Sequence, residues 1–312
     1  MKFRITLIFL VLTLGLFAEN DLIGTTGFSF LKVNYSARIN AMGGAYTALS
    51  NNSDAVFSNP AGLNEILNRE FNVSYMNYFD GIQTGAISFA TQKNKLMHIG
   101  GFIKYMSGSE TRTLVDENGD FLGEDGTFGF SNTVFGMSGS YYVNAMLSVG
   151  ANAKFLFDIL DENSSSAIAF DFGLLHQSTN ENLKIGLTMR NVGKQLTKYT
   201  KTSGKEDLPK VLTLGFSYHP KDELYVNFDI RKPVEGDYSG LIGTEYQIHP
   251  LLVLRAGYKT NASDWKAGGD NEFLSGISSG LGFRWKKYLI DYALVSYGDL
   301  GIINNISIRY SF

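Results

Sequence analysis

Two short motifs could do chemistry, and each lacks the neighbours that its chemistry needs. Gly276-Ile277-Ser278-Ser279-Gly280 has the G-x-S-x-G form of a hydrolase elbow. That elbow is a sharp strand-to-helix turn that exposes the serine, whereas here the pattern runs on in strand register to Trp285. The four histidines, His98, His176, His219 and His249, sit on separate segments, so neither a catalytic triad nor a histidine metal site is expected. Asp116, Asn118 and Asp120 are spaced like the first three ligands of a calcium loop. Gly119 is displaced from the required position, however, and position twelve is Thr127 instead of Glu. An Asn118-Gly119 hairpin turn accounts for the stretch, with weak calcium binding that includes Glu117, Glu124 and Asp125 left open. The absence of cysteine excludes a disulfide framework, a thiolate metal site and a lipid-anchored cysteine. The expectation is a protein without catalytic residues, metal or cofactor.

The remaining ionisable groups show an order of another kind. Lys154, Asp171, Lys184, Arg190, Asp229, Arg231, Glu245, Arg255, Arg284, Asp291 and Arg309 all fall on one face of segments that alternate polar and apolar residues. Residues 224–231 read Leu, Tyr, Val, Asn, Phe, Asp, Ile, Arg. In the last segment Ile306, Ile308, Tyr310 and Phe312 oppose Asn305, Ser307, Arg309 and Ser311. Successive strand residues point to opposite faces, so each segment is a strand with one greasy side and one wet side.

About fourteen such segments are predicted, at 70–78, 82–91, 96–106, 128–142, 145–160, 164–178, 182–196, 208–219, 223–232, 239–248, 251–260, 275–285, 288–297 and 302–312. Many have the length that a tilted strand needs to cross a bilayer. The long connections, 107–127, 197–207, 233–238 and 261–274, all follow odd-numbered strands, and every connection after an even-numbered strand is short. Short turns at one end and longer loops at the other are the asymmetry of an outer-membrane barrel. The fold class is therefore all-β: a transmembrane antiparallel barrel of about fourteen strands over residues 70–312, in contact with outer-membrane lipid. A lysine or arginine facing hydrocarbon at mid-depth costs about 2–4 kcal/mol, so the charged face should line the lumen and pair across strands. Mixed signs argue for a filled interior over a wide single-sign pore.

Lys2 and Arg4, the apolar run Ile5–Phe17 and Ala18 read as a secretory signal over residues 1–18. Dispersed aromatics near strand ends, among them Tyr75, Tyr78, Tyr105, Tyr141, Tyr142, Tyr218, Tyr246, Tyr258, Trp285, Tyr288 and Tyr310, read as interfacial girdles. A formal net charge of -3 carries no basic excess that would point to nucleic acid. Residues 19–69 lack alternation and hold Gly43-Gly44, which weakens a helix or permits close backbone approach. They read as a segment tucked into the barrel.

The run Ser36-Ala37-Arg38-Ile39-Asn40-Ala41-Met42-Gly43-Gly44-Ala45-Tyr46-Thr47-Ala48-Leu49, followed by Asn59-Pro60-Ala61-Gly62-Leu63, resembles the N-terminal signature of the PorV/PorQ proteins, in the superfamily of FadL-like barrels. Arg190-Asn191-Val192-Gly193, Gly243-Thr244-Glu245-Tyr246 and Leu254-Arg255-Ala256-Gly257-Tyr258 extend the likeness along the chain. The resemblance implies a fourteen-strand barrel with an N-terminal hatch, in which Gly43, Gly44, Asn59, Pro60, Ala61 and Gly62 gate. It also implies one of two roles: transport of a hydrophobic small molecule, or partnership in secretion with an exported protein cargo. The first needs an apolar pocket bordering Phe57 and Leu63. The second needs loops 107–127 and 261–274 as a docking surface. Tyr310-Ser311-Phe312 resembles the signal that the barrel-assembly machinery reads. A secreted soluble β-sandwich with a binding face is the alternative of another class.

Overall fold

The computed structural model describes residues 26–260 and 272–312, so the signal segment and most of loop 261–274 lie outside the described residues. The alternating segments become fourteen antiparallel strands. The first seven are β1 (Glu70–Asn77), β2 (Gln83–Gln92), β3 (Met97–Val115), β4 (Phe121–Asn144), β5 (Leu147–Leu160), β6 (Asn163–Gln177) and β7 (Leu183–Thr197). The rest are β8 (Val211–Lys221), β9 (Leu224–Pro233), β10 (Ser239–His249), β11 (Leu252–Lys259), β12 (Ile277–Trp285), β13 (Tyr288–Ser296) and β14 (Ile302–Ser311). Each strand pairs with its sequence neighbours, and β1 closes on β14 from Glu70↔Ser311 to Asn77↔Asn304. Closure leaves no free sheet edge along the wall, which is what lets strands cross a membrane.

The two faces separate as the alternation predicts. Phe135, Phe155, Phe157, Leu187, Ile242, Ile306 and Ile308 are exposed on the outside, while Asn305, Ser307 and Arg309 are buried within. An apolar surface that runs round the whole wall is far larger than water tolerates and matches hydrocarbon instead. Tyr141, Tyr218, Tyr246, Trp285 and Tyr288 ring the end with short turns, and Tyr75, Tyr105 and Tyr258 stand outward toward the end with long loops. Two of the predicted girdle residues do something else. Tyr142 turns inward and donates to the Asn64 carbonyl at 2.7 Å. Tyr78 packs against Phe79 and Tyr297.

One predicted loop is a correction. Residues 107–127 are mostly strand: β3 and β4 run on together past the wall as a hairpin and turn at residues 116–120. Their side chains are polar or exposed on both faces, so no greasy side marks them as strands, yet their ladder is continuous apart from two register shifts. Asp116 Oδ1 accepts the backbone N–H groups of Asn118 and Asp120 at 2.8 and 2.9 Å, which closes the turn.

Candidate functional site: the filled lumen and its cavity

Residues 28–66 lie inside the barrel. They form short pieces because their composition allows nothing longer: a 3-10 turn at Ser29–Lys32, a single helix α1 (Ala37–Ala41), and 3-10 turns at Ser53–Phe57 and Pro60–Glu65. Each piece is capped from its own sequence. Ser36 accepts from Ile39 N–H, Asn52 from Asp54 N–H, and Asn59 from Ala61 N–H with Pro60 at the first helical position. Tyr35, Ile39, Met42, Tyr46, Leu49, Val56 and Leu63 are fully buried among inward wall residues.

The wall makes room with glycine. Gly150, Gly173, Gly186, Gly215, Gly243, Gly257 and Gly280, one each from β5 to β8 and β10 to β12, occupy inward positions. There a Cβ would overlap Ala61, Asn59, Thr47, Met42, Gly43 or Ala41 of the lumen segment. Glycine inside a strand marks close approach of another backbone. Gly43 itself sits at φ +64°, and a Cβ there would stand 2.8 Å from Tyr258 N. Asn59 Nδ2 donates to the Thr47 and Leu174 carbonyls, so it ties the segment both to itself and to β6. Ser278, from the elbow-like motif, lies in β12 and docks the segment: it accepts from Gly43 N–H at 2.9 Å and donates to the Ala41 carbonyl at 3.2 Å. His98 is likewise structural, its ring nitrogens 2.9 and 3.0 Å from Asn64 Oδ1 and the Ile66 carbonyl.

The sequence-selected charges divide into groups. Toward the turn end, Arg38 of α1 makes a two-pronged pair with Glu245, at 2.7 and 2.6 Å. Arg255 joins Glu245 to Asp291 at 2.6 and 2.7 Å, and Arg309 reaches Asp291 at 3.3 Å. Burial opposes charge on Arg38, but the Glu245 carboxylate outweighs it and holds the guanidinium more firmly protonated than a free arginine. Burial pushes the nearby Asp54 carboxyl up, against the pull of Arg309 and the Ser36 hydroxyl. Higher up, Lys154 pairs with Asp171 at 2.5 Å, and Asp171 also accepts from Asn191 N–H.

Lys154, Asp171, Glu245, Arg255, Asp291 and Arg309 thus pair from strand to strand, while the other inward charges take different partners. Lys184 pairs with Glu65 of the lumen segment. Asp229 accepts Tyr46 and Thr47 N–H groups at 3.1 and 3.0 Å, a backbone anchor in place of an ion pair. Arg284 keeps the inward register of β12 but is exposed at the turn-end rim, beside Glu245 and Arg309. Arg190 donates to the Phe57 carbonyl at 3.0 Å, and Arg231 makes no ion pair among the described residues.

A cavity of about 360 Å3 opens toward the loop end. Gly43, Gly44 and Asn40 lie beneath it, and Leu31, Val33, Val211, Pro233, Val295 and Ile303 give it apolar sides. Arg190, Arg231 and Asn191 reach it from the wall. The apolar pocket that the transport role is expected to need beside Phe57 and Leu63 is not this cavity. Both are packed, 5% and 0% exposed, with Phe57 edge-on to Phe102 at 5.5 Å, and neither lines this cavity.

No protein-family model matches the chain, and no curated protein matches it. Solved structures do. The Pseudomonas putida toluene transporter TodX superposes with a TM-score of 0.63 over 88% of this chain and 96% of its own, at 14% identity. A TodX deltaS2S3 mutant, titled a monoaromatic hydrocarbon channel, reaches 0.68 over 89% and 99%, also at 14% identity. A Pseudomonas aeruginosa FadL homologue reaches 0.60 over 90% and 99%, at 12% identity. The fold is FadL-like. The docking glycines are what the sequence alone did not single out as contacts. Their signal was present: a glycine at the inward position of strand after strand.

Proposed function

We propose that the protein is an outer-membrane channel for compact solutes with an apolar body, and that residues 28–66 are its hatch. The observation that carries this reading is the cavity itself, which opens at the loop end, has apolar sides and is floored by Gly43-Gly44 of the lumen segment. Concave sites of about 300–1,000 Å3 with apolar walls and few polar groups are the usual form of small-molecule sites. The similarity of fold to channels described for toluene and monoaromatic hydrocarbons agrees with it. Below the floor the lumen is packed, so a bound solute goes further only when the hatch shifts or a gap opens beside it.

A role as a secretion partner would rest on the β3–β4 hairpin, where Leu114, Val115, Phe121 and Leu122 are exposed at the tip. The TodX structures named above are described as a hydrocarbon channel and a toluene transporter, and add nothing to that second reading. Purification of the membrane form in detergent, with mass spectrometry of what comes with it, separates the two. An apolar small molecule supports the channel. A tightly held protein with no small molecule in the lumen contradicts it.

A further inference from the structure

The lining of the loop-end cavity is one-sided in charge. Lys32, Arg190, Arg231 and Lys259 reach it, and no aspartate or glutamate does among the described residues. The two arginines are the unusual pair. They come from strands on either side of β8, Arg190 opposite Val211 and Arg231 opposite Thr213, so both face the space beside Val211. Arg190 Nε and Arg231 Nε are buried and make no hydrogen bond. The nearest wall carboxylates do not balance this charge: Asp171 is paired with Lys154 and Asn191, and Asp229, whose Oδ2 holds the Tyr46 and Thr47 backbone, is the one carboxylate left to act on both arginines. Asn191 is also fixed, donating to the Pro209 carbonyl at 2.9 Å.

Guanidinium cannot shed its proton in a protein. Two of them against the single carboxylate of Asp229 leave an excess of positive charge in a half-buried wall, which is costly unless something negative neutralises it. The fork of N–H donors on arginine matches the two oxygens of a carboxylate. The apolar sides, Leu31, Val33, Val295 and Ile303, together with the rings of Tyr78 and Tyr297, suit a hydrocarbon or aromatic body. Because Gly43-Gly44 floors the cavity and the lumen below is packed, that body is short.

We infer that this cavity is a binding site for compact organic anions, a carboxylate on a small apolar or aromatic body, with Arg190 and Arg231 as the residues that select the charge. The inference rests on the channel reading and narrows it, since a neutral hydrocarbon would leave the excess positive charge uncompensated. Selectivity for such an anion over an uncharged solute of the same shape then comes from the two arginines, and selectivity over a long acyl chain from the short floor.

Calorimetric titration of the detergent-purified protein with benzoate, toluene and oleate tests it. Benzoate is expected to bind more tightly than toluene or oleate. Its affinity should fall about tenfold or more in Arg231→Gln and further in the Arg190→Gln/Arg231→Gln double variant. Arg190→Lys/Arg231→Lys, which keeps the charge without the fork, is expected to fall between. Heat-modifiable gel migration of each variant checks that the barrel is assembled. Toluene binding with no benzoate binding overturns the inference and leaves the channel standing. Benzoate affinity unchanged in the double Gln variant overturns it as well, and binding of none of the three overturns it together with the channel reading.

Discussion

At the turn end of the barrel Arg38, Arg255 and Arg309 meet Glu245 and Asp291 at hydrogen-bond distance, while at the loop end Arg190 and Arg231 make no ion pair with a carboxylate among the described residues. The first set is compact and joins helix α1 to four strands. The second borders an open cavity of about 360 Å3. Paired charges hold each other, because each partner satisfies the other and their forks fix the geometry, even where Arg38, Glu245, Arg255 and Arg309 border a space of about 230 Å3 at the turn-end mouth. Unpaired charges keep a surface ready for something else. The same side chain therefore serves as a fastener at one end and as a receptor at the other, and only its neighbours tell which.

The largest effect should come from breaking the fastener. Glu245→Ala strands Arg38 and Arg255 without their shared acceptor, and removing one partner of a buried pair costs about 3–5 kcal/mol. The expected outcome is a lumen segment that limited proteolysis cuts between residues 28 and 66 while the barrel still migrates as a folded species. A protease pattern identical to the wild type would contradict the fastener.

Gly257→Val tests the docking glycines. A Cβ there overlaps the backbone at Met42 and Gly43, and overpacking of this kind typically costs about 1–3 kcal/mol. The segment should shift and the cavity floor with it, read as a lowered thermal midpoint.

Arg190→Gln should do little to stability, about 1 kcal/mol for the lost bond to the Phe57 carbonyl. A loss as large as that of Glu245→Ala would mean that the loop-end arginines are fasteners too.

The smallest effect belongs to Glu235 in the β9–β10 loop, which accepts from Thr26 N–H at 3.1 Å and pairs with the half-exposed Lys32. Burial acts to raise its pKa, but the bonds from Lys32 and Thr26 prevail and hold it below the ordinary 4.5. A carboxylate depressed in the folded state contributes its stability above the ordinary value and loses it as pH falls through the depressed one. The clamp on the start of the segment should thus hold at pH 5 and weaken only in stronger acid, by less than about 1 kcal/mol. Glu235→Gln should flatten that acid response, measured by hydrogen exchange at the segment's start.

The barrel was legible because β9 and β14 write their two faces plainly into the chain, and because turn length sorts by strand number. The hairpin was not, since Ser107–Val115 has no apolar side to betray a strand. Strand parity singles out Arg190, Arg231 and Glu245 alike. Parity gives direction and no partner, so nothing at that level separates Glu245, clasped by two arginines, from Arg231, which makes no ion pair among the described residues. The cavity is assembled from residues between 29 and 44, Met76 and Tyr78 at the end of β1, and others between 190 and 303, a meeting that follows from barrel closure and from glycines spread over seven strands.

Uptake with the hatch locked and unlocked is the most direct test of the channel reading. The chain has no cysteine of its own, so Ala41→Cys with Gly280→Cys adds a single possible disulfide. A Cβ at 280 would stand 2.5 Å from that of Ala41, which places the pair in disulfide range after a shift of about 1 Å. Cells carrying this variant would be given radiolabelled benzoate and toluene under oxidising and then reducing conditions. The account predicts uptake of at least one solute that drops to the level of barrel-free cells when oxidised and returns on reduction. Uptake that ignores the crosslink, or that never exceeds the barrel-free level, would contradict a channel gated by this segment.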